Sequence, residues 1–315
     1  MATLLGRLLY HGYHRPVGAV RDSVRAGGPW QQWRTARGRR AMEAAARHMP
    51  PLPAPGDPRP VELHLLTGRR FWYQSAFCLW SFARTSGRPI APVLYDDGTL
   101  GAEHREPLAR TFPGARFVEF AEARARLDRL LPASRFPSLH DRWQHYPNIR
   151  KLIDPHLGST GWKLVIDSDL LFFRAPELVV AWLDRPASPL HALDCETCYG
   201  YSRALLESLA GATPAERVNV GLCGLNGTEF DWERIEHACR TLIEREGTHY
   251  FLEQAIVAML VAGRQCTIAP EADYVTRPDA AEARACTAVM HHYVAGSKRC
   301  YFQRNWRRCG DEKRS

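Results

Sequence analysis

The sequence predicts an α/β fold with a mostly parallel central sheet, helices on both faces and an N-terminal helical extension. Three observations carry this. From Val61 onward, short apolar runs alternate with helix-length amphipathic stretches, the pattern of a parallel sheet. The run Leu164, Val165, Ile166 is apolar throughout, as suits a strand covered on both faces. Finally, six of the eleven residues from Pro50 to Pro60 are proline, which neither a helix interior nor a central strand tolerates. That stretch divides the chain into a basic helical extension with its linker (residues 1–60), a main domain (61–300) and a basic tail (301–315).

The elements follow in order. Leu4, Leu5, Leu8 and Leu9 fall on one side of a first helix, which either lies on a membrane surface or, more commonly, packs on the main domain. A second helix runs from Trp30 to Met49. Val61 to Leu66 reads as a strand closed by Thr67-Gly68, and Trp72 to Thr85 as a helix with Ala76, Leu79, Trp80 and Ala83 inward. Ile90 to Tyr95 is a strand stopped by Asp96-Asp97-Gly98; Ala102 to Thr111 is a helix and Arg116 to Phe120 a strand. Pro147 starts a helix reaching Leu157. Pro176 opens another, with Glu177 in its first turn where the helix dipole favours an acid. Val218 to Leu225 is a strand, Trp232 to Arg245 and Phe251 to Ala262 are helices, and Ala288 to Tyr293 is a last strand.

With 315 residues, 45% hydrophobic and 24% charged, the chain has the composition of a soluble globular protein. Its net charge of +8 is uneven. Residues 1–48 hold nine arginines against Asp22 and Glu43, and residues 298–315 seven Lys or Arg against Asp311 and Glu312. The middle is therefore acidic overall. Basic ends favour anionic partners such as a phosphate or an anionic lipid surface, and the acidic middle argues against nucleic acid. No apolar stretch is long enough to span a bilayer and no secretory signal is visible, so the nine cysteines read as reduced thiols in a cytoplasm. Cys195 and Cys198 form a lone Cys-x-x-Cys without the second pair a zinc site needs.

The chemistry gathers where the Leu164–Ile166 run ends, at Asp167-Ser168-Asp169. A buried unpaired carboxylate is costly, so two acids here either sit at the strand's exposed carboxyl end or hold a cation. Residues i and i+2 of an extended chain point the same way, so both carboxylates reach one ion. Hard oxygen ligands select Mg²⁺ or Mn²⁺ over Zn²⁺.

Around this pair, several blocks in common order give the stretch from Val61 to Lys298 a resemblance to GT-A glycosyltransferases of the retaining, glycogenin-like family (glycosyltransferase family 8). They are Thr67-Gly68-Arg69-Arg70-Phe71; Lys151-Leu152, sixteen residues before Asp167; the Asp-x-Asp itself; Leu190-His191-Ala192-Leu193-Asp194; Asn219-Val220-Gly221-Leu222; Glu253-Gln254; and His292-Tyr293 with Lys298 six positions after the histidine. The resemblance implies a nucleoside-diphosphate sugar donor, a UDP-sugar in most of the family, and transfer with retention. It implies Mn²⁺ (or Mg²⁺) on Asp167, Asp169 and His292. Thr67, Phe71, Lys151, Ser168, Asn219, Gly221, Gly296 and Lys298 would hold the donor, with Phe71 on the base and both lysines at the phosphates. Asp194, Glu253 and Gln254 would face the sugar. The acceptor, whether saccharide, lipid-linked or protein, is not implied.

Three departures stand out. Glu253 replaces the family's Asp, Ala295 stands where it has Gly with Gly296 one later, and the usual Pro-Trp after the lysine is missing. The changes at Glu253 and Ala295 motivate a competing reading, a nucleotide-sugar-binding protein without catalysis. A nucleic-acid-binding protein, suggested by the pI of about 9.1, is a third.

Overall fold

The first strand of the main domain, β1 (Val61–Thr67), buries six of its seven residues wholly or in part, because strands lie on both sides of it and helices on both faces. The computed structural model describes residues 27–53 and 60–310. Helix α1 (Gly28–Ala46) precedes β1, and α2 (Trp72–Ser86), β2 (Ile90–Asp96), α3 (Ala102–Thr111), β3 (Arg116–Val118) and α4 (Phe120–Leu130) follow it. Next come α5 (Pro137–His145), α6 (Ile149–His156), β4 (Trp162–Ile166), β5 (Leu170–Phe172), α7 (Glu177–Asp184), β6 (Leu190–Leu193), α8 (Arg203–Ala210) and β7 (Val218–Asn226). The chain closes with α9 (Trp232–Glu246), α10 (Leu252–Leu260), β8 (Thr267–Ile268), β9 (Tyr274–Thr276), α11 (Glu282–Ala285), β10 (Met290–His292) and α12 (Lys298–Gln303).

The expected α/β architecture is present. Seven strands form a sheet in the order β3-β2-β1-β4-β7-β6-β8. β1 pairs in parallel with β2 and β4, β2 with β3, and β6 with β8; β7 alone reverses, antiparallel to both β4 and β6. Alternate residues of β2 serve opposite faces: Leu94 joins one hydrophobic cluster, Val93 and Tyr95 the other. Several elements differ from expectation, with α5, α8, β8 and β9 having no counterpart in the sequence reading. Phe120 starts α4 rather than ending a strand, and a separate three-stranded sheet, β5-β10-β9, carries the last strand. Three residues of β5 are too few for a periodicity signal.

The first cluster also takes in α1 and the segment around α12. Met42, Ala46 and Met49 are buried in it beside Tyr301, Phe302 and Trp306. Gly38 is the contact point: a Cβ there would stand 2.2 Å from the Phe302 carbonyl oxygen, so only glycine lets α1 meet α12 this closely. Gln303 locks the pair by donating to the Gln31 and Thr35 oxygens at 3.1 and 3.0 Å. The core therefore does not stop at residues 60 and 301. Of the segment read from sequence as a leucine-faced helix, Leu4 to Leu9 lies outside the described residues, as does most of the proline-rich linker.

Candidate active site

β4 delivers the acid pair. The strand ends at Ile166, and the Asp167 N–H donates to the Gly221 carbonyl on β7 at 2.8 Å, the last rung before the chain leaves the sheet. Asp167-Ser168-Asp169 then makes the turn into β5. This is the carboxyl edge of the parallel strands, the usual place for a ligand crevice.

β10 delivers the histidine. It runs antiparallel to β5 with His292 opposite Leu170, and the Tyr293 N–H donates to the Asp169 carbonyl at 3.1 Å. His292 Nε2 consequently stands 3.4 Å from Asp169 Oδ1 and 3.7 Å from Asp167 Oδ2. Its other ring nitrogen, Nδ1, lies 3.1 Å from Asn219 Oδ1, which also accepts from the Gly221 N–H at 2.9 Å. With Asn219 Oδ1 as acceptor, Nδ1 carries the proton and Nε2 is turned toward the carboxylates. Gly221 leaves room for the ring, since a Cβ there would come within 2.4 Å of His292 Cε1.

The carboxylates divide their oxygens between two tasks. Lys151 Nζ is 2.8 Å from Asp167 Oδ1, and Lys298 Nζ is 3.0 Å from Asp169 Oδ2. The remaining oxygens, Asp167 Oδ2 and Asp169 Oδ1, face the imidazole. Ligand atoms of Asp167, Asp169 and His292 lie within 4.8 Å of one another, the one such group among the described residues. Two carboxylate oxygens and one imidazole nitrogen, with the imidazole fixed from behind by an amide, suit Mn²⁺ or Mg²⁺.

The protonation states reflect this crowding. Burial pushes the Asp169 carboxyl up, but the bond from His292 and the charges of His292 and Lys298 outweigh it and hold the carboxyl well below its ordinary value. Burial works against a charged His292, yet the Asp169 and Asp167 carboxylates raise its pKa overall. Glu253 is buried on α10, and burial pushes its carboxyl up to about 7 despite Lys151 Nζ at 3.2 Å.

Beyond the triad lies a cleft of about 290 Å³. Asp194, at the end of β6, lines it. Its Oδ2 accepts from Asn219 Nδ2 at 3.3 Å and from Gln254 Nε2 at 3.2 Å, and its Oδ1 from the Cys195 N–H at 2.7 Å. Gln254 Nε2 also donates to the Cys198 carbonyl at 3.2 Å. The Gln254 amide is thus oriented by its nitrogen, and Oε1 accepts no bond from any described residue.

The structure therefore brings Lys151, Asp167, Asp169, Asp194, Asn219, Gly221, Glu253, Gln254, His292 and Lys298 to one cleft. Ser168 lies in the turn between the acids, and Gly296 in the exposed 3₁₀ turn before Lys298. Thr67 and Phe71 do not line this cleft. The Thr67 side chain is buried and its hydroxyl is 2.8 Å from that of Ser75. Phe71 is 40% exposed, its N–H turned back to the Gly68 carbonyl as the chain enters α2. Lys151 touches both Asp167 and Glu253, so its charge is engaged inside the protein.

Some cleft residues left no sequence signal. The Tyr146 hydroxyl donates to the Tyr250 carbonyl and accepts from the Glu253 N–H at 3.4 Å, clasping the start of α10. Arg277 lines the rim and donates its N–H to the His292 carbonyl at 2.9 Å from a left-handed backbone, φ 56°. Tyr146 depends on a contact between helix ends more than a hundred residues apart, and Arg277 on the pairing of two three-residue strands. Ala295 also adopts the left-handed region, φ 47°, at the position where the resembled family has glycine.

Several solved structures resemble the chain in part. WbbM, a bifunctional glycosyltransferase in its apo form, matches 81% of this chain and 51% of its own at 13% identity and a TM-score of 0.49. This chain thus spans about half of that protein. The galactosyltransferase LgtC, solved with donor and acceptor sugar analogues, matches 79% of this chain and 95% of its own at 11% identity and 0.49. Mouse xyloside xylosyltransferase 1, in its apo form, matches 74% and 97% at 12% identity and 0.47. No protein-family description and no curated protein sequence matches the chain.

Proposed function

We propose that the chain is a metal-dependent glycosyltransferase that moves a sugar from a nucleoside-diphosphate donor, with a UDP-sugar favoured, to an acceptor with retention of configuration. The observation carrying this reading is the split of the acid pair: two carboxylate oxygens converge with His292 Nε2, while Lys151 and Lys298 neutralise the other two. Asp167, Asp169 and His292 would hold Mn²⁺ or Mg²⁺, which supplies Lewis-acid stabilisation of the departing diphosphate.

Each residue then has a distinct task. Lys298 is 40% exposed on its side chain and pairs with Asp169 alone, so its ammonium is free to turn to a donor phosphate and counter the charge growing on the leaving group. Lys151 is nearly buried and holds Asp167 and Glu253 together, fixing the orientation of both. Asp194 and the Gln254 carbonyl oxygen present negative potential to the sugar as it gains oxocarbenium character. Glu253 is the alternative nucleophile, and its pairing with Lys151 disfavours that role while the pair persists. The acceptor's proton would pass to a donor phosphate oxygen; Glu196, which also lines the cleft, is paired with Arg277 at 3.5 Å.

Two features support an enzyme over a binding protein without catalysis. The triad is geometrically complete. Ala295 also keeps the left-handed turn that a glycine would adopt more cheaply, so Lys298 still reaches Asp169. The test is hydrolysis and transfer with a panel of nucleotide sugars, with Mn²⁺, with Mg²⁺ and with chelator. Turnover of a nucleotide sugar that requires the cation supports the reading; binding without turnover of any donor selects the competing one.

A further inference from the structure

The outward face of α1 carries an unusual pair of exposed indoles. Trp30 and Trp33 are 64% and 45% exposed, and their rings stack at 4.9 Å. At 3.6 residues per turn, Trp30, Trp33, Arg34, Arg37 and Arg40 fall within a sector of about 120°, away from the buried stripe Gly38, Met42, Ala46. The Arg37 guanidinium lies over the Trp33 ring, 5.5 Å from its centroid. None of these three arginines forms an ion pair with a described acid, and the one acid of the helix, Glu43, bonds Arg47 instead.

Further basic residues stand nearby on the C-terminal segment, which packs on the opposite, buried side of α1. Arg299, on α12, reaches the start of α1, where a Cβ on Gly27 would stand 2.6 Å from its Nη1. Arg304 and Arg307 are exposed on the same segment. Exposed indole rings are costly to leave in water, and beside unpaired guanidiniums they match one partner. At a bilayer interface the rings sit at headgroup level while the arginines meet lipid phosphates. A nucleic acid would use the charges but has less use for two indoles already stacked on each other along a helix.

We infer that the α1 face formed by Trp30, Trp33, Arg34, Arg37 and Arg40 seats the protein on an anionic lipid surface. This stands whether or not the chain is a glycosyltransferase, because no cleft residue belongs to the face. It has a consequence for the cleft all the same. α1 is clamped to α12, and α12 begins at Lys298, so the lipid seat is one helix from the site.

The test is co-sedimentation of the full chain with vesicles of phosphatidylcholine containing phosphatidylglycerol, and with pure phosphatidylcholine vesicles, at low and high salt. Binding to the anionic vesicles alone, weakened by salt, is expected. Arg34→Gln, Arg37→Gln and Arg40→Gln together should lower affinity about a hundredfold, and the matching Lys substitutions should restore most of it. Trp30→Ala with Trp33→Ala should weaken binding as well. All five positions are exposed, so the variants should keep the far-ultraviolet circular dichroism of the parent. Full binding by both variants overturns the inference, as does equal binding to uncharged vesicles, or binding to RNA with none to vesicles.

Discussion

Asn219 Oδ1 lies 3.1 Å from His292 Nδ1, and the same Asn219 donates through Nδ2 to Asp194 at 3.3 Å. One amide thus joins the histidine of the triad to the acid proposed to face the sugar. It fixes which nitrogen of His292 points at the carboxylates. Replacing Asn219 by Ala removes that constraint without touching a ligand. Cation affinity should fall about ten- to a hundredfold, read by calorimetric titration of Mn²⁺, with the fold retained.

Lys298 should matter to rate more than to binding. Its partner changes from Asp169 to a growing phosphate charge only as the sugar departs, so Lys298→Ala should lower kcat more than it raises KM. A charge-assisted contact of this type contributes roughly 1.5–3 kcal/mol, or about ten- to a hundredfold in kcat. Steady-state kinetics with the donor that the panel identifies reads this directly. A variant with parental kcat removes Lys298 from the reaction.

Ala295 holds a left-handed backbone, φ 47°, that costs a non-glycine residue about 1 kcal/mol or more. Ala295→Gly should relieve that strain by more than it adds in unfolded-chain entropy. The variant should melt about 2 °C higher in a thermal scan. Unchanged kcat in the same variant would show that the turn's shape, not its residue, places Lys298.

Glu253 gives the chelated protein a pH signature. Burial raises its carboxyl from the ordinary 4.5 to about 7, so the folded state holds the proton more tightly than the unfolded state. The associated stability is fully present below about pH 4.5 and is lost as pH rises through about 7. His292, also raised, acts with the same sign; Asp169, lowered, acts oppositely, contributing stability at higher pH that is lost in acid. Glu253→Gln should flatten the fall in stability between pH 5 and 7.5, measured by urea unfolding in chelator.

Much of the site was legible because its residues interrupt strong patterns. Asp167 and Asp169 break an apolar strand, Asp194 ends one, and His292 follows Met290 at the end of another. What closes the site was not legible. Tyr146 reaches the cleft through a contact with Glu253 more than a hundred residues away, and Arg277 through a sheet of three-residue strands. The docking of α1 was half-visible. Gly38, Met42 and Ala46 recur at i, i+4 and i+8, the period of one helical face, but the arginines around them mask that apolar stripe. Donor contacts by Thr67 and Phe71 rest on family resemblance alone: neither lines the cleft, the Thr67 hydroxyl is taken up by Ser75, and Phe71 is exposed at the start of α2.

The central claim is that Asp167, Asp169 and His292 form a cation site that a nucleoside diphosphate completes. Its most direct measurement is Mn²⁺ titration by calorimetry or electron paramagnetic resonance, with and without UDP, on the parent and on Asp167→Asn, a near-isosteric change that leaves room in the turn. One Mn²⁺ per parent chain, tighter binding when UDP is present, and loss of both in the folded Asp167→Asn variant are expected. An Asp167→Asn variant that binds Mn²⁺ and UDP as the parent does would contradict the claim.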